Sequence, residues 1–195
     1  MFKVICVTQM PAAEDFFSQL EKICAAGIDR VILREKTLSE SEYEAIAERA
    51  AEICGRYSVP LSLHTFVNAA KRLGVRDIHL SLHDFSAGLS EKFETVGVSV
   101  HSLEEAVFVQ SRGAAYITAG HIFPTDCKKG LPPRRVDFLR EICTEVHIPV
   151  YAIGGITPEN IHLVKASGAA GVCVMSGLMK AGEPGKLIRK MHSEQ

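Results

Sequence analysis

No run of apolar residues in this chain approaches the ~20 needed to cross a bilayer, and no stretch carries an excess of one charge. The 22 Lys and Arg are balanced by 23 Asp and Glu for a formal net charge of −1, with the signs mixed throughout. Without a basic face or tail there is nothing to neutralise a phosphate backbone, so nucleic acid is excluded as an expected partner, and so is a membrane. The opening Met1–Val7 is apolar for too few residues to act as a signal sequence, and a cytoplasmic protein is expected. Six cysteines form no CxxC pair. Cys6, Cys24, Cys54, Cys143 and Cys173 lie in apolar or helix-like segments and read as small buried hydrophobes of a reducing compartment. Only Cys127 falls in a polar, glycine-rich loop, where a thiol without a base partner is more often incidental than reactive. Linkers, low-complexity tracts and compositional shifts are also missing, so 1–195 reads as one domain with a sizeable core, 47% of it hydrophobic residues.

What the chain does have is alternation. Short runs rich in Val and Ile, at 2–8, 30–34, 59–64, 77–81, 95–100, 115–119, 148–153 and 170–175, predict eight strands of a parallel sheet buried on both faces. Segments of helical period at 13–26, 40–57, 66–73, 102–112, 135–145, 158–167 and 184–192 lie between or after them, and the connection 82–94 has the weakest helical pattern. Ser39 with Glu42 and Ser102 with Glu105 have capping-box form, and Thr157-Pro158 puts proline at a first helical position. Eight βα units predict an α/β fold of (β/α)8 TIM-barrel type, near the ~200-residue lower limit for that fold. Only 120–134 is a long loop, and long loops in compact domains are functional or disordered.

Barrels of this kind carry chemistry at the C-terminal ends of their strands. Gly154-Gly155 after the seventh strand and Met175-Ser176-Gly177 after the eighth allow backbone N–H groups to approach an anion, and a helix start beyond Met175 adds a favourable dipole. A phosphate is expected between these loops on Gly154, Gly155, Met175 and Ser176; the plainer reading is a pair of tight turns. Arg34 or Lys36 can face the barrel mouth and pair a second anionic group, or simply cap a strand in solvent. His64, His83, His101 and His121 all fall at or beyond strand ends, where they can move protons, bind metal or hold structure; their spacing matches no short metal motif. His121 opens the long loop, which carries Lys128 and Lys129, and is the best general acid/base candidate.

Taken together, Leu33-Arg34-Glu35-Lys36, Ile78-His79-Leu80-Ser81 with Asp84, Gly97-Val98-Ser99-Val100-His101-Ser102, Gly120-His121-Ile122-Phe123-Pro124-Thr125, Ala152-Ile153-Gly154-Gly155-Ile156 and Val172-Cys173-Val174-Met175-Ser176 resemble the thiamine phosphate synthase and TenI superfamily, nearly end to end. The synthases typically carry Asn-Asp-Arg after strand three, with an aspartate that helps bind magnesium; here the stretch is Leu63-His64-Thr65-Phe66, and Ser81-Leu82 stands where Gly-Gln is usual. They usually read Gly-Pro-Ile-Phe after strand six, where this chain has Gly120-His121-Ile122-Phe123.

The resemblance therefore implies a TenI-type thiazole tautomerase needing no cofactor. His121 would shift a proton to aromatise a carboxythiazole phosphate, and Arg34 with Lys128 or Lys129 would hold the carboxylate. Ser99 and His101 are further binding candidates, inherited positions that in the synthases face diphosphate. Lys36 joins them as a possible anion partner. The alternative is a Mg2+-dependent thiamine phosphate synthase joining hydroxymethylpyrimidine diphosphate and thiazole phosphate, with Asp84 as the remaining metal carboxylate. A non-catalytic regulatory binder of thiamine precursors is a third reading. The expected partner is a small phosphorylated thiazole, and a homodimer is the family and symmetry expectation.

Overall fold

A computed structural model describes residues 1–10, 15–128 and 130–193. The chain begins with β1 (Lys3–Val7), α1 (Phe16–Ala25), β2 (Arg30–Leu33), α2 (Glu40–Arg56), β3 (Leu61–His64) and α3 (Val67–Arg72). It continues with β4 (Asp77–Ser81), α4 (Leu82–Ser86), β5 (Thr95–Val100), α5 (Leu103–Ser111) and β6 (Tyr116–Gly120). A 3-10 turn at Asp126–Lys128 precedes α6 (Arg135–Glu145), β7 (Val150–Ile153), α7 (Ile161–Lys165), β8 (Gly171–Val174), α8 (Ser176–Met179) and α9 (Pro184–Ser193). The strands pair in parallel in chain order and β8 returns to β1, closing the barrel that the alternation predicts.

Side chains alternate across each strand, so residues such as Val31, Leu33, Ile78, Leu80, Val98, Ile117 and Val172 point outward and are buried under the helices. The lumen is divided by polarity. On β1, β7 and β8 and at Ile32 of β2 it is apolar, filled by Ile5, Val7, Ile32, Tyr151 and Cys173, while Arg30 of β2 reaches Ser62 in the polar part. On β3 to β6 it is polar, with Ser62, His64, His79, Ser99, Thr118 and the Tyr116 hydroxyl. The cysteines are unpaired; Cys6, Cys24, Cys54 and Cys173 are buried as expected, Cys143 is half-buried and Cys127 exposed.

The starts of α1, α2, α4 and α5 follow local chemistry, each with a side-chain cap. Ser39 and Glu42 make the full capping box, with the Glu42 N–H donating to Ser39 Oγ and the Ser39 N–H to Glu42 Oε2 at 2.9 Å. Ser102 caps Glu105 at 3.2 Å, but the Glu105 carboxylate turns instead to the His101 N–H, so only half of that box forms. The helix expected at 158–167 begins at Ile161. Asn160 accepts the Thr157 N–H at 2.9 Å and donates to the Gly155 carbonyl at 2.9 Å, which holds 157–160 as a turn and delays the helix past Pro158. The weak pattern at 82–94 yields only the short α4, started by the Ser81 hydroxyl.

Candidate active site

Two buried hydrogen-bond knots fix the C-terminal rim of the barrel. Glu35, 5% exposed, accepts the Thr8 hydroxyl at 2.7 Å and the Met10 N–H at 3.0 Å, while Thr8 Oγ1 accepts the Arg34 N–H at 2.9 Å. Burial pushes the Glu35 carboxyl up despite these donors. The knot locks the end of β1 to the end of β2 and so aims Arg34. Tyr43, from α2, donates its hydroxyl to the Leu33 carbonyl at 2.6 Å and accepts the His64 N–H at 3.0 Å, which ties β2 to β3.

Above these knots a cavity of about 370 Å³ opens over the strand ends, within the range of small-molecule sites. Arg34, Lys36 and Lys128 line it close to one another. Burial lowers the pKa of both Arg34 and Lys36, and the neighbouring Arg34 and Lys128 charges lower Lys36 further. Cations kept close together at this cost form a ready site for a multiply charged anion. His64 adds no charge to them, because burial and the Arg34 and Lys36 charges push its pKa down to about 4.

Gly154, Gly155, Met175 and Ser176 also line the cavity, and Arg34 Nη1 lies 4.0 Å from Met175 Sδ. The opening turn of α8 leaves N–H groups without helical partners there. The glycine pair has φ of +100° and +65°, and a Cβ on Gly154 would lie 2.3 Å from His121 Cβ. A Cβ on Gly155 would meet Pro124 O at 2.4 Å. These glycines are thus required by the close passage of the strand-six loop as well as by any anion.

That loop is closed at its base, where the Arg134 N–H donates to the His121 carbonyl at 2.9 Å and the Ile122 N–H to Ile153 O at 3.0 Å. His121 lines the cavity, with its Nε2–H on the Leu131 carbonyl at 3.3 Å. His101 also lines it and donates Nδ1–H to the Gly120 carbonyl at 2.9 Å. Ser99 and Lys128 are wall residues too, whereas Lys129 lies outside the described residues. Asp84 sits behind Ser81 rather than on the wall.

Sequence reasoning missed the polar layer beneath this floor. His79 lies between the Tyr116 hydroxyl at 3.1 Å and Ser99 Oγ at 2.9 Å, and Thr118 donates to Ser99 Oγ at 3.2 Å. Inward alternation is the signal that finds them: His79 is two residues before Ser81, and Thr118 two before Gly120.

The thiamine monophosphate synthase family model matches residues 2–178. The chain belongs to that family. It is 31% identical over 190 residues to "thiamine-phosphate synthase 2" of Streptococcus pneumoniae serotype 4, covering 93% of this chain and 90% of that one. It is 33% identical over 169 residues to thiamine-phosphate synthase of Clostridium tetani, covering 85% and 81%. Thiamine phosphate pyrophosphorylase from Pyrococcus furiosus superposes with a TM-score of 0.85 at 25% identity, covering 98% of this chain and 94% of that one.

Membership of this family, through relatives named as enzymes over most of their length, makes the chain an enzyme and corrects the expected reaction. The tautomerase reading rested on His121 and on the lost strand-three aspartate; relatives named as synthases at about this identity across the whole barrel overturn it. His121 accordingly loses its assignment as the proton carrier of an isomerase. Among the described residues no helix is long and apolar enough to cross a membrane.

A magnesium ion, which the synthase resemblance implies, needs only one or two protein carboxylates when substrate phosphate and water complete its shell. No group of three or more His, Cys, Asp or Glu among the described residues is placed to hold a metal. Asp84, hydrogen-bonded to the wall residue Ser81, is the carboxylate the resemblance leaves for it. Burial disfavours its charge, but hydrogen bonds from Ser81 Oγ at 2.8 Å and from His83 outweigh this and keep its pKa low. The Thr65 hydroxyl stands 3.5 Å from Asp84 Oδ2, so a hydroxyl occupies the ground beside the carboxylate. The donor set fits an ion brought largely by the substrate.

Proposed function

We propose that this chain is a thiamine-phosphate synthase, joining hydroxymethylpyrimidine diphosphate to thiazole phosphate with release of diphosphate. The observation that carries the reading is one cavity lined both by three cations, Arg34, Lys36 and Lys128, and by the loops Gly154-Gly155 and Met175-Ser176. Such cations suit the diphosphate of one substrate, and loop N–H groups suit the phosphate of the other.

In this reading the cations and Ser99 hold the diphosphate, and backbone N–H groups of Gly154, Gly155, Met175 and Ser176 hold the thiazole phosphate. The thiazole nitrogen lone pair forms the new C–N bond at the pyrimidine methylene. The C–O bond to diphosphate breaks, and its electron pair leaves with the diphosphate. No proton moves, so the reaction requires no general base, and His101 and His121 serve as wall and positioning groups. Arg34, Lys36 and Lys128 stabilise the charge that grows on the departing oxygen. Magnesium, when bound at Asp84, would supply further neutralisation of the diphosphate. The cavity holds the two reacting centres in one volume, and this proximity is the other contribution of the protein.

The test is direct. Purified protein incubated with both substrates and Mg2+ is expected to form thiamine phosphate, measured by chromatography with stoichiometric diphosphate release. If neither product forms while each substrate binds, the reading fails.

A further inference from the structure

The polar half of the lumen has a direction. Arg30 has only donors, and its Nη1 donates to Asp77 and, at 2.7 Å, to Ser62 Oγ. Ser62 therefore accepts from below. Tyr116 is buried with its hydroxyl 3.1 Å from His79 Nδ1, so the phenol gives its proton there rather than leave it unsatisfied. His79 is 2% exposed and lies near the fixed charges of Arg30 and Arg34, so it is held neutral. A neutral imidazole that accepts at Nδ1 carries its proton on Nε2.

That proton meets Ser99 Oγ at 2.9 Å, and Thr118 donates to the same oxygen at 3.2 Å. Both lone pairs of Ser99 are then occupied. Its own proton has no acceptor within this layer, and Ser99 lines the cavity.

We propose that His79 is a positioning residue, held as the Nε2–H tautomer by Tyr116, which makes Ser99 a hydrogen-bond donor toward an anionic oxygen of the ligand. The role deepens the synthase reading and rests on it for the identity of that anion. In the opposite polarity the Ser99 proton would point down to His79 and a lone pair would face the ligand, repelling a phosphate. The fold makes room for the arrangement at Gly97, beside Tyr116 in the β5–β6 register. A Cβ there would lie 2.1 Å from Tyr116 Cζ, so only glycine lets the phenol lie across β5 beneath His79.

Two measurements test this. Nitrogen NMR of the 15N-histidine-labelled native protein is expected to show His79 protonated at Nε2 and bare at Nδ1; an Nδ1–H tautomer or an imidazolium would overturn the proposal. This readout needs neither substrate nor variant, so it stands even if coupling activity is absent and the synthase reading falls. Binding of inorganic diphosphate by calorimetry supplies the second. Tyr116→Phe, which leaves the cavity wall unchanged, is expected to weaken binding about tenfold to a hundredfold, as Ser99→Ala does, because a hydrogen bond to a charged oxygen is lost in each. The double variant should bind no more weakly than Ser99→Ala. Independent, multiplying losses would mean that Tyr116 acts by packing alone, and would overturn the relay.

Discussion

At the scale of single residues, burial converts ordinary side chains into constraints. His64 is held neutral with its pKa down at about 4, whereas an unfolded chain takes up the proton near 6.5. Between these values the unfolded state binds a proton that the native state refuses, so the contribution is present above pH 6.5 and is lost as pH falls toward 4. His64→Asn should therefore flatten the pH dependence of unfolding free energy over that window by roughly 3 kcal/mol, measured by urea denaturation at several pH values. Arg34 presents the opposite case, a charge kept although half-buried, which the proposed coupling would set against the diphosphate. Arg34→Ala is expected to lower kcat/KM for the proposed coupling about a hundredfold or more, and Arg34→Lys to recover little of it, since a point charge cannot replace the planar fork. Equal kinetics for Arg34→Lys and the native protein would show that the fork is not used. Both residues stand at predicted strand ends and were visible in the sequence as candidates. What the sequence did not contain was their state: that His64 is neutral and silent depends on its burial, and then on Arg34 and Lys36 from a neighbouring part of the chain.

At the scale of elements, the same division holds between local and distant causes. The start of α2 is written in Ser39 and Glu42, neighbours that satisfy each other, and the sequence alone places it correctly. The late start of α7 depends on Asn160 reaching back to Gly155, which proline at a nominal first position outweighs in any local reading. The rim knots were illegible for a stronger reason. Tyr43 reads as one more apolar position of an amphipathic helix, yet its hydroxyl joins Leu33 to His64. Tyr43→Phe leaves the stacking on Phe66 in place and strands a buried carbonyl and a buried N–H. The expected loss is about 2–4 kcal/mol in unfolding free energy, against about 1 kcal/mol for Ser39→Ala, whose cap water can replace. A loss for Tyr43→Phe no larger than that for the cap would show that the rim is held by packing instead.

At the scale of the whole molecule, the barrel and the glycine loops were legible because both follow from repeated βα units and from the rule that places chemistry at strand ends. The reaction was not, because one fold with one phosphate site serves several chemistries. Weight given to a single carboxylate absent from the stretch Leu63-His64-Thr65-Phe66 and to a single histidine at 121 selected an isomerase, against the character of the whole chain. The structure gives that absent carboxylate a more limited meaning. Thr65 adopts φ of +71°, a conformation costly for a β-branched residue and easier for aspartate, and its hydroxyl lies beside Asp84. Thr65→Asp would set two carboxylates against each other, a pair that repels until a cation joins it. The variant is expected to reach half-maximal coupling at about tenfold lower Mg2+ and to lose thermal stability when magnesium is chelated. Asp84→Asn should shift the requirement the other way. Mg2+ titrations of coupling rate for the three proteins check this, and three superimposable curves would remove the ion from Asp84 and leave neutralisation of the diphosphate to Arg34, Lys36 and Lys128.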